Sequence, residues 1–107
     1  MIDPYADERR ALVEAVTGSA GHLAPAVRSA ILDRTRGRSD TAAIPSALVP
    51  FVDRVAQDAT LIDDADVDAM LLAGLDEEAV FEAVVAAALG ASLARLEAVD
   101  VLLEGPA

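Results

Sequence analysis

Residues 83–94 form a run of twelve residues without a charged side chain, Ala-Val-Val-Ala-Ala-Ala-Leu-Gly-Ala-Ser-Leu-Ala. The run lies inside a longer segment, 76–103, which ends before Gly105-Pro106. Alanine, the strongest helix former, makes up about a fifth of the chain. We therefore expect one helix of about 27 residues, roughly 40 Å long. A helix of this length exceeds what one small domain needs, so it is either kinked or extends to a neighbouring molecule.

The rest of the chain also favours helices over strands. Only three residues are aromatic, Tyr5, Phe51 and Phe81, and no segment alternates apolar and polar residues over the length of a strand. The chain contains no asparagine, and therefore no Asn-Gly turn of the kind that closes β-hairpins. A length of 107 residues is enough for one compact domain and too short for two. The predicted fold class is all-α, a single domain of about five helices.

Prolines, glycines and capping residues indicate where the helices begin and end. Asp3 is a suitable N-cap for a first helix that has Pro4 at its first position. Asp63 and Asp76 are the corresponding caps of the last two helices, and each follows an apolar residue that can pack back onto its helix. The predicted helices cover residues 4–16, 25–36, 50–59, 63–74 and 76–103, with a connector at 37–46 and a turn at 45–49.

The segment 77–103 also predicts how the chain associates. Ala86, Gly90 and Ala94 recur every four residues and form a stripe of small side chains, with larger apolar side chains on either side. A helix that is apolar all round is buried on all sides. In a protein of 11.0 kDa, complete burial favours a second subunit. The alternative is a central helix enclosed by the other helices of its own chain. We expect a homo-oligomer formed through this helix.

Charge and residue usage exclude several classes of partner and site. Acidic residues outnumber basic ones 19 to 8, and the net charge of −11 disfavours nucleic acids and anionic membranes. No stretch of about 18 uncharged apolar residues occurs, so we expect no transmembrane helix. The acidic start lacks the basic and apolar regions of a signal peptide, which predicts a cytoplasmic protein. Because the chain has no cysteine, disulfides, thiolate metal sites and thiol catalysis are excluded.

Few residues are candidates for chemistry. His22, the only histidine, follows Gly-Ser-Ala-Gly and is either a general base or an ordinary loop residue, and we favour the loop residue. The aspartates at 64, 66 and 68 have the spacing of an EF-hand calcium loop, but Ala69 and Leu75 replace its glycine and glutamate. We interpret these acids as helix-start residues favoured by the helix dipole. The sequence predicts neither a metal nor a cofactor.

Segment 66–84 reads Asp-Val-Asp-Ala-Met-Leu-Leu-Ala-Gly-Leu-Asp-Glu-Glu-Ala-Val-Phe-Glu-Ala-Val. It resembles a helix pair of the carboxymuconolactone decarboxylase and alkylhydroperoxidase D (AhpD) superfamily, in which a helix ending in Ala-Gly precedes an acidic cap and a long alanine-rich helix. Pro-Phe-Val-Asp-Arg-Val-Ala at 50–56 resembles the preceding helix of that family, and Arg95 resembles an arginine late in its final helix. The resemblance implies an all-helical, intertwined homo-oligomer, with divergent N-terminal helices in 1–47 and AhpD-like helices in 48–104.

The same resemblance limits the expected chemistry. The peroxidases of the family use Cys-x-x-Cys followed by histidine, and a chain without cysteine cannot carry out that reaction. No catalytic residue is therefore transferred. We expect a non-catalytic, AhpD-like homo-oligomer that serves as an assembly or protein-interaction module.

Two alternatives remain open at the level of sequence. One is a cofactor-free enzyme of the decarboxylase or isomerase kind, in which His22 acts with a carboxylate, Glu14 or Glu82. In that enzyme Arg28 or Arg95 stabilises developing negative charge. The other is an acidic surface within residues 58–82 that binds a basic protein or a cation, with an affinity that falls as salt increases.

Overall fold

The computed structural model describes residues 4–38 and 43–104, and within them every regular element is helical. This confirms the predicted all-α fold of about five helices. A short 3-10 turn, Ala59–Leu61, separates the third helix from the fourth. The helices are α1 (Ala6–Gly18), α2 (Pro25–Thr35), α3 (Leu48–Gln57), α4 (Asp64–Leu72) and α5 (Glu77–Glu104).

The helix ends agree closely with the predicted boundaries in the C-terminal half of the chain and less closely in the first helix. Asp63 and Asp66 form a capping box at the start of α4, where each side chain accepts a hydrogen bond from the other's backbone N–H. Helix α1 begins two residues later than predicted, at Ala6, after an N-cap that makes no side-chain hydrogen bond. The predicted cap, Asp3, lies outside the described residues. Helix α1 also continues through Gly18, which was expected to lie just beyond its end.

Helix α3 begins at Leu48, two residues earlier than predicted, and contains Pro50 in its first turn. Proline is tolerated there because the first N–H groups of a helix have no intrahelical acceptor. Helix α3 buries Leu48, Phe51, Val52 and Val55, and these side chains join a core that runs from Leu23 to Ala87. The N-terminal and C-terminal parts of the chain therefore share one core.

Helix α5 forms the centre of the fold, and α2 crosses it at Gly90. A Cβ atom at that position would overlap the Thr35 hydroxyl and the backbone carbonyl of Leu32. The missing side chain therefore sets how closely the two helices approach. On the same inner face of α5, the buried residues are Ala79, Val80, Ala83, Ala86, Ala87, Ala91 and Leu93.

This burial corrects the expectation drawn from the small-residue stripe. Ala86 and Gly90 are buried against their own chain, so the alternative of a helix enclosed by its own partners is correct for this part of α5. The longest exposed part of α5 lies further on, from residue 95 to 104, where every residue is exposed. These ten residues extend α5 by about 15 Å, and the described residues measure 51 × 27 × 24 Å. The continuous exposed apolar surface of α5 therefore lies at the end of the helix and not at its small-residue stripe.

Helix α5 is also long and apolar enough to cross a membrane by length and composition alone, once two charged residues are allowed in the window. The expectation of no transmembrane helix was based on a stricter criterion of no charge at all. In the structure, 44% of the apolar window is buried inside the protein. The core helix of a soluble protein meets the same criterion.

Candidate functional site

The cluster of polar side chains with the most buried member lies where the loop 19–24 passes over α5. Arg28, in the first turns of α2, is only 3% exposed. Its guanidinium donates to the carbonyls of Val16 (2.7 Å) and Leu23 (3.2 Å) and to the carbonyl and hydroxyl of Ser19. Arg28 therefore binds the last turn of α1 and both ends of the loop. A cation there is also favoured by the dipole of α1.

Glu82 of α5 holds the same loop from the opposite side. Its carboxylate accepts hydrogen bonds from the backbone N–H groups of His22 (2.8 Å) and Leu23 (3.1 Å). One of its oxygens lies 3.8 Å from Nε of Arg28. A side chain at Gly21 would overlap this carboxylate, with its Cβ 3.0 Å from Cδ of Glu82. Arg28, Glu82 and Gly21 thus form a tertiary clamp, which we call the loop clamp.

The imidazole of His22 is paired with a different acid. Nδ1 of His22 lies 3.0 Å from Oδ2 of Asp76, and the other oxygen of Asp76 accepts the N–H of Ala79 (2.7 Å) at the start of α5. The hydrogen bond that the imidazole donates to the Asp76 carboxylate, together with the negative charge of Asp76, raises the pKa of His22 above its ordinary value of 6.5. The hydrogen bond from His22 in turn lowers the pKa of Asp76 below 3.8. The pair links the loop to the N-terminus of α5.

This pair predicts a specific dependence of stability on pH. Because the pKa of His22 is raised in the folded chain, its contribution is fully present below about pH 6.5 and is lost as the pH rises through the folded-state value. The contribution of Asp76 is present above about pH 3.8 and is lost as the pH falls below that value. We expect the melting temperature to fall as the pH rises above about 6.5, and to fall less in His22→Gln. Calorimetry of both proteins measures this; equal falls would contradict the assignment.

A cavity of about 350 Å³ lies between α1 and the first half of α5, and the clamp residues Gly21, Arg28 and Glu82 form part of its lining. Phe81 and Val85 of α5 and Val16 of α1 supply its apolar lining, whereas Glu78 and His22 lie at its polar edge. Phe81 is 64% exposed, so the cavity is a shallow recess. The donors of Arg28 are directed to loop carbonyls, and both oxygens of Glu82 accept backbone N–H groups. The clamp residues are thus occupied in holding the chain.

The structure brings some predicted site residues together and separates others. His22, Glu82 and Arg28 converge, but Glu82 accepts a hydrogen bond from the backbone N–H of His22, whereas the imidazole pairs with Asp76. Glu14 does not line the cavity, and Arg95 donates to the carbonyl of Ala56 on another side of α5 (3.1 Å). The partner of His22, Asp76, was recognised in the sequence only as a helix cap.

Three of the acids between residues 58 and 82 have local structural roles. Asp58 accepts hydrogen bonds from Thr60, which lowers its pKa. Asp63 and Asp66 cap α4, and Asp66 also accepts from Arg54 (2.9 Å). The EF-hand spacing therefore falls on the first turns of a helix. Among the described residues, no group of three or more His, Cys, Asp or Glu side chains is placed to hold a metal ion.

Comparisons with other proteins add no assignment to this site. No family model, curated protein or solved structure matches the chain. The functional argument therefore depends on the residues and on their geometry.

Proposed function

We propose that this protein is a non-catalytic helical module that assembles with copies of itself, through the C-terminal end of α5. One observation carries the proposal: the last ten residues of α5 leave the core as a helix and expose apolar side chains. Their exposed fractions are 37% for Leu96, 47% for Val99 and 65% for Leu103. Contiguous apolar surface of this kind marks interaction sites. The clamp residues, by contrast, are used for folding.

The proposed resemblance to the AhpD superfamily agrees with this function. Residues 66–84, which carry the resemblance, occupy α4, the turn at Gly74 and the start of α5. An AhpD-like chain would be an obligate homo-oligomer. A cytoplasmic location, and a role for further protein partners, are parts of the same proposal.

A matched pair of substitutions tests whether the protein self-associates through the end of α5. Leu103 and Val101 lie in the same exposed segment and are 65% and 68% exposed, but they point to opposite sides of the helix because they are two residues apart. We expect Leu103→Ser to weaken self-association about tenfold or more, and Val101→Ser to change it little. Light scattering over a dilution series measures both. Equal effects, or a monomeric parent protein, would contradict the proposal.

A second candidate function is the cofactor-free decarboxylase or isomerase, favoured by the Asp76–His22 pair at the edge of the cavity. In it His22 acts as the base, held by Asp76 at Nδ1. This candidate is weakened because the side chains of Glu82 and Arg28 already form hydrogen bonds with the backbone of the protein. NMR titration with small carboxylic acids tests it: binding requires shifts at Phe81 and Val85 that disappear in His22→Ala. Unshifted spectra exclude this candidate.

A further inference from the structure

The cavity between α1 and the first half of α5 carries one acid that is not paired with any cation in the described part of the chain. Asp76, at the cavity edge, pairs with the imidazole of His22 at 3.0 Å. Glu82 lies 3.8 Å from Nε of Arg28. Glu78 also lines the cavity, but it is exposed and forms no hydrogen bond or ion pair with the described residues. These five groups together have a net negative charge whether or not the imidazole is protonated.

The side-chain donors in the lining are already used by the fold. Arg28 donates to backbone carbonyls of α1 and of the loop. The hydroxyl of Ser19 donates to the carbonyl of Ala15 (2.6 Å), and one ring nitrogen of His22 is already paired. An anion in the cavity would therefore meet a net negative charge and find these donors engaged. A cation would find the carboxylate of Glu78 open.

Phe81 gives the cavity an aromatic wall next to this carboxylate. It follows Glu78 by three residues, so the two side chains are neighbours on one face of α5. The ring is 64% exposed, whereas the other phenylalanine, Phe51, is 4% exposed in the core. A positive charge over the face of an aromatic ring is attracted by its quadrupole. Val85 and Val16 add aliphatic surface to the same lining.

We propose that this cavity binds a small organic ammonium ion that carries a short apolar chain. The ammonium group donates to the carboxylate of Glu78 and lies against the ring of Phe81, and the apolar chain packs on Val85 and Val16. The volume of about 350 Å³ lies at the lower end of the range for small-molecule sites, which suits a ligand of few heavy atoms. The site is at the other end of α5 from residues 95–104, so it does not depend on the proposed self-assembly.

NMR titration with two ligands of the same chain length and opposite charge tests the proposal. Butylammonium chloride and sodium butyrate are added separately at constant ionic strength, and the backbone amide signals of His22, Phe81 and Val85 are followed. We expect saturable shifts with butylammonium, with a dissociation constant in the millimolar range. Butyrate should bind about tenfold more weakly or not at all.

Three substitutions assign the binding to named groups. Glu78→Gln should weaken butylammonium binding about fivefold, because it removes the charge and keeps the shape of the side chain. Phe81→Leu should weaken it about threefold, since leucine keeps apolar surface and lacks the ring. Asp68→Asn is the matched control, because it removes one charge from α4, outside the cavity, and should bind as the unmodified chain does. All three positions are exposed, so these variants should keep the fold.

The possible results separate a specific site from general attraction. Binding of butylammonium that weakens in Glu78→Gln and not in Asp68→Asn supports the site. Equal affinities in these two variants would mean that cations are attracted only by the net charge of −11. Equal shifts with both ligands, or with neither, would mean that no charge-selective site exists, and shifts with butyrate alone would support the enzyme candidate. Each of these contrary results overturns the inference and leaves self-assembly untouched.

Discussion

Glu82→Ala should destabilise the chain by about 3 kcal/mol, because breaking a buried ion pair leaves an uncompensated charge. The substitution removes the carboxylate beside Arg28, which is 3% exposed. It also removes the acceptor for the backbone N–H groups of His22 and Leu23. The free energy of unfolding of Glu82→Gln should lie between those of the unmodified protein and Glu82→Ala, since the amide oxygen of glutamine still accepts one hydrogen bond. Urea denaturation of the three proteins gives the free energies of unfolding.

Glu78→Ala is the matched control for this result. Glu78 lies one helical turn before Glu82, lines the same cavity and is exposed. Surface substitutions of this kind change the free energy of unfolding by about 0.5 kcal/mol or less. If Glu82→Ala were as mild as Glu78→Ala, the loop clamp would have no role in stability. Glu82 would then be available for another function.

The second large effect is expected at the crossing of α2 and α5. Gly90→Val should cost about 3 kcal/mol or more, because a branched side chain cannot be accommodated without separating the helices. Its Cβ alone would overlap the carbonyl of Leu32, whose carbon lies 3.1 Å from that position. For a domain of this size, the loss lowers the melting temperature by about 12 °C or more. Differential scanning calorimetry measures it.

Gly18→Val provides the comparison for Gly90. Gly18 is the last residue of α1, and a Cβ atom there would have no neighbour within 4 Å. We expect a change within about 0.5 kcal/mol. A mild effect at both positions would mean that α2 does not approach α5 as closely as described. The core around Ala86 and Ala87 would then need a different explanation.

The helices could largely be predicted from the sequence because their signals are local. Asp63 and Asp76 cap α4 and α5 with their own side chains, and Pro25 begins α2 where proline is favoured. The start of α1 is harder to predict because its N-cap residue makes no side-chain hydrogen bond to the helix. The sequence predicts that α3 starts at Pro50, but proline fits equally well within the first turn of a helix that starts at Leu48.

The site was harder to predict because its contacts are between residues far apart in the chain. His22 and Asp76 are 54 residues apart, and His22 and Glu82 are 60 residues apart. Nothing local distinguishes a carboxylate that binds a backbone N–H from one that is free. The apolar character of α5 was visible in the sequence. Which part of it the chain would cover depended on how α2 crosses Gly90.

Sedimentation equilibrium of the unmodified chain at micromolar concentrations is the most direct measurement of self-assembly. If the exposed apolar end of α5 pairs with a second copy, the measurement gives a species with twice the 11.0 kDa mass of the chain, which dissociates on dilution. The contrary result is a single species of 11.0 kDa at every concentration. In that case the end of α5 does not bring copies of this chain together.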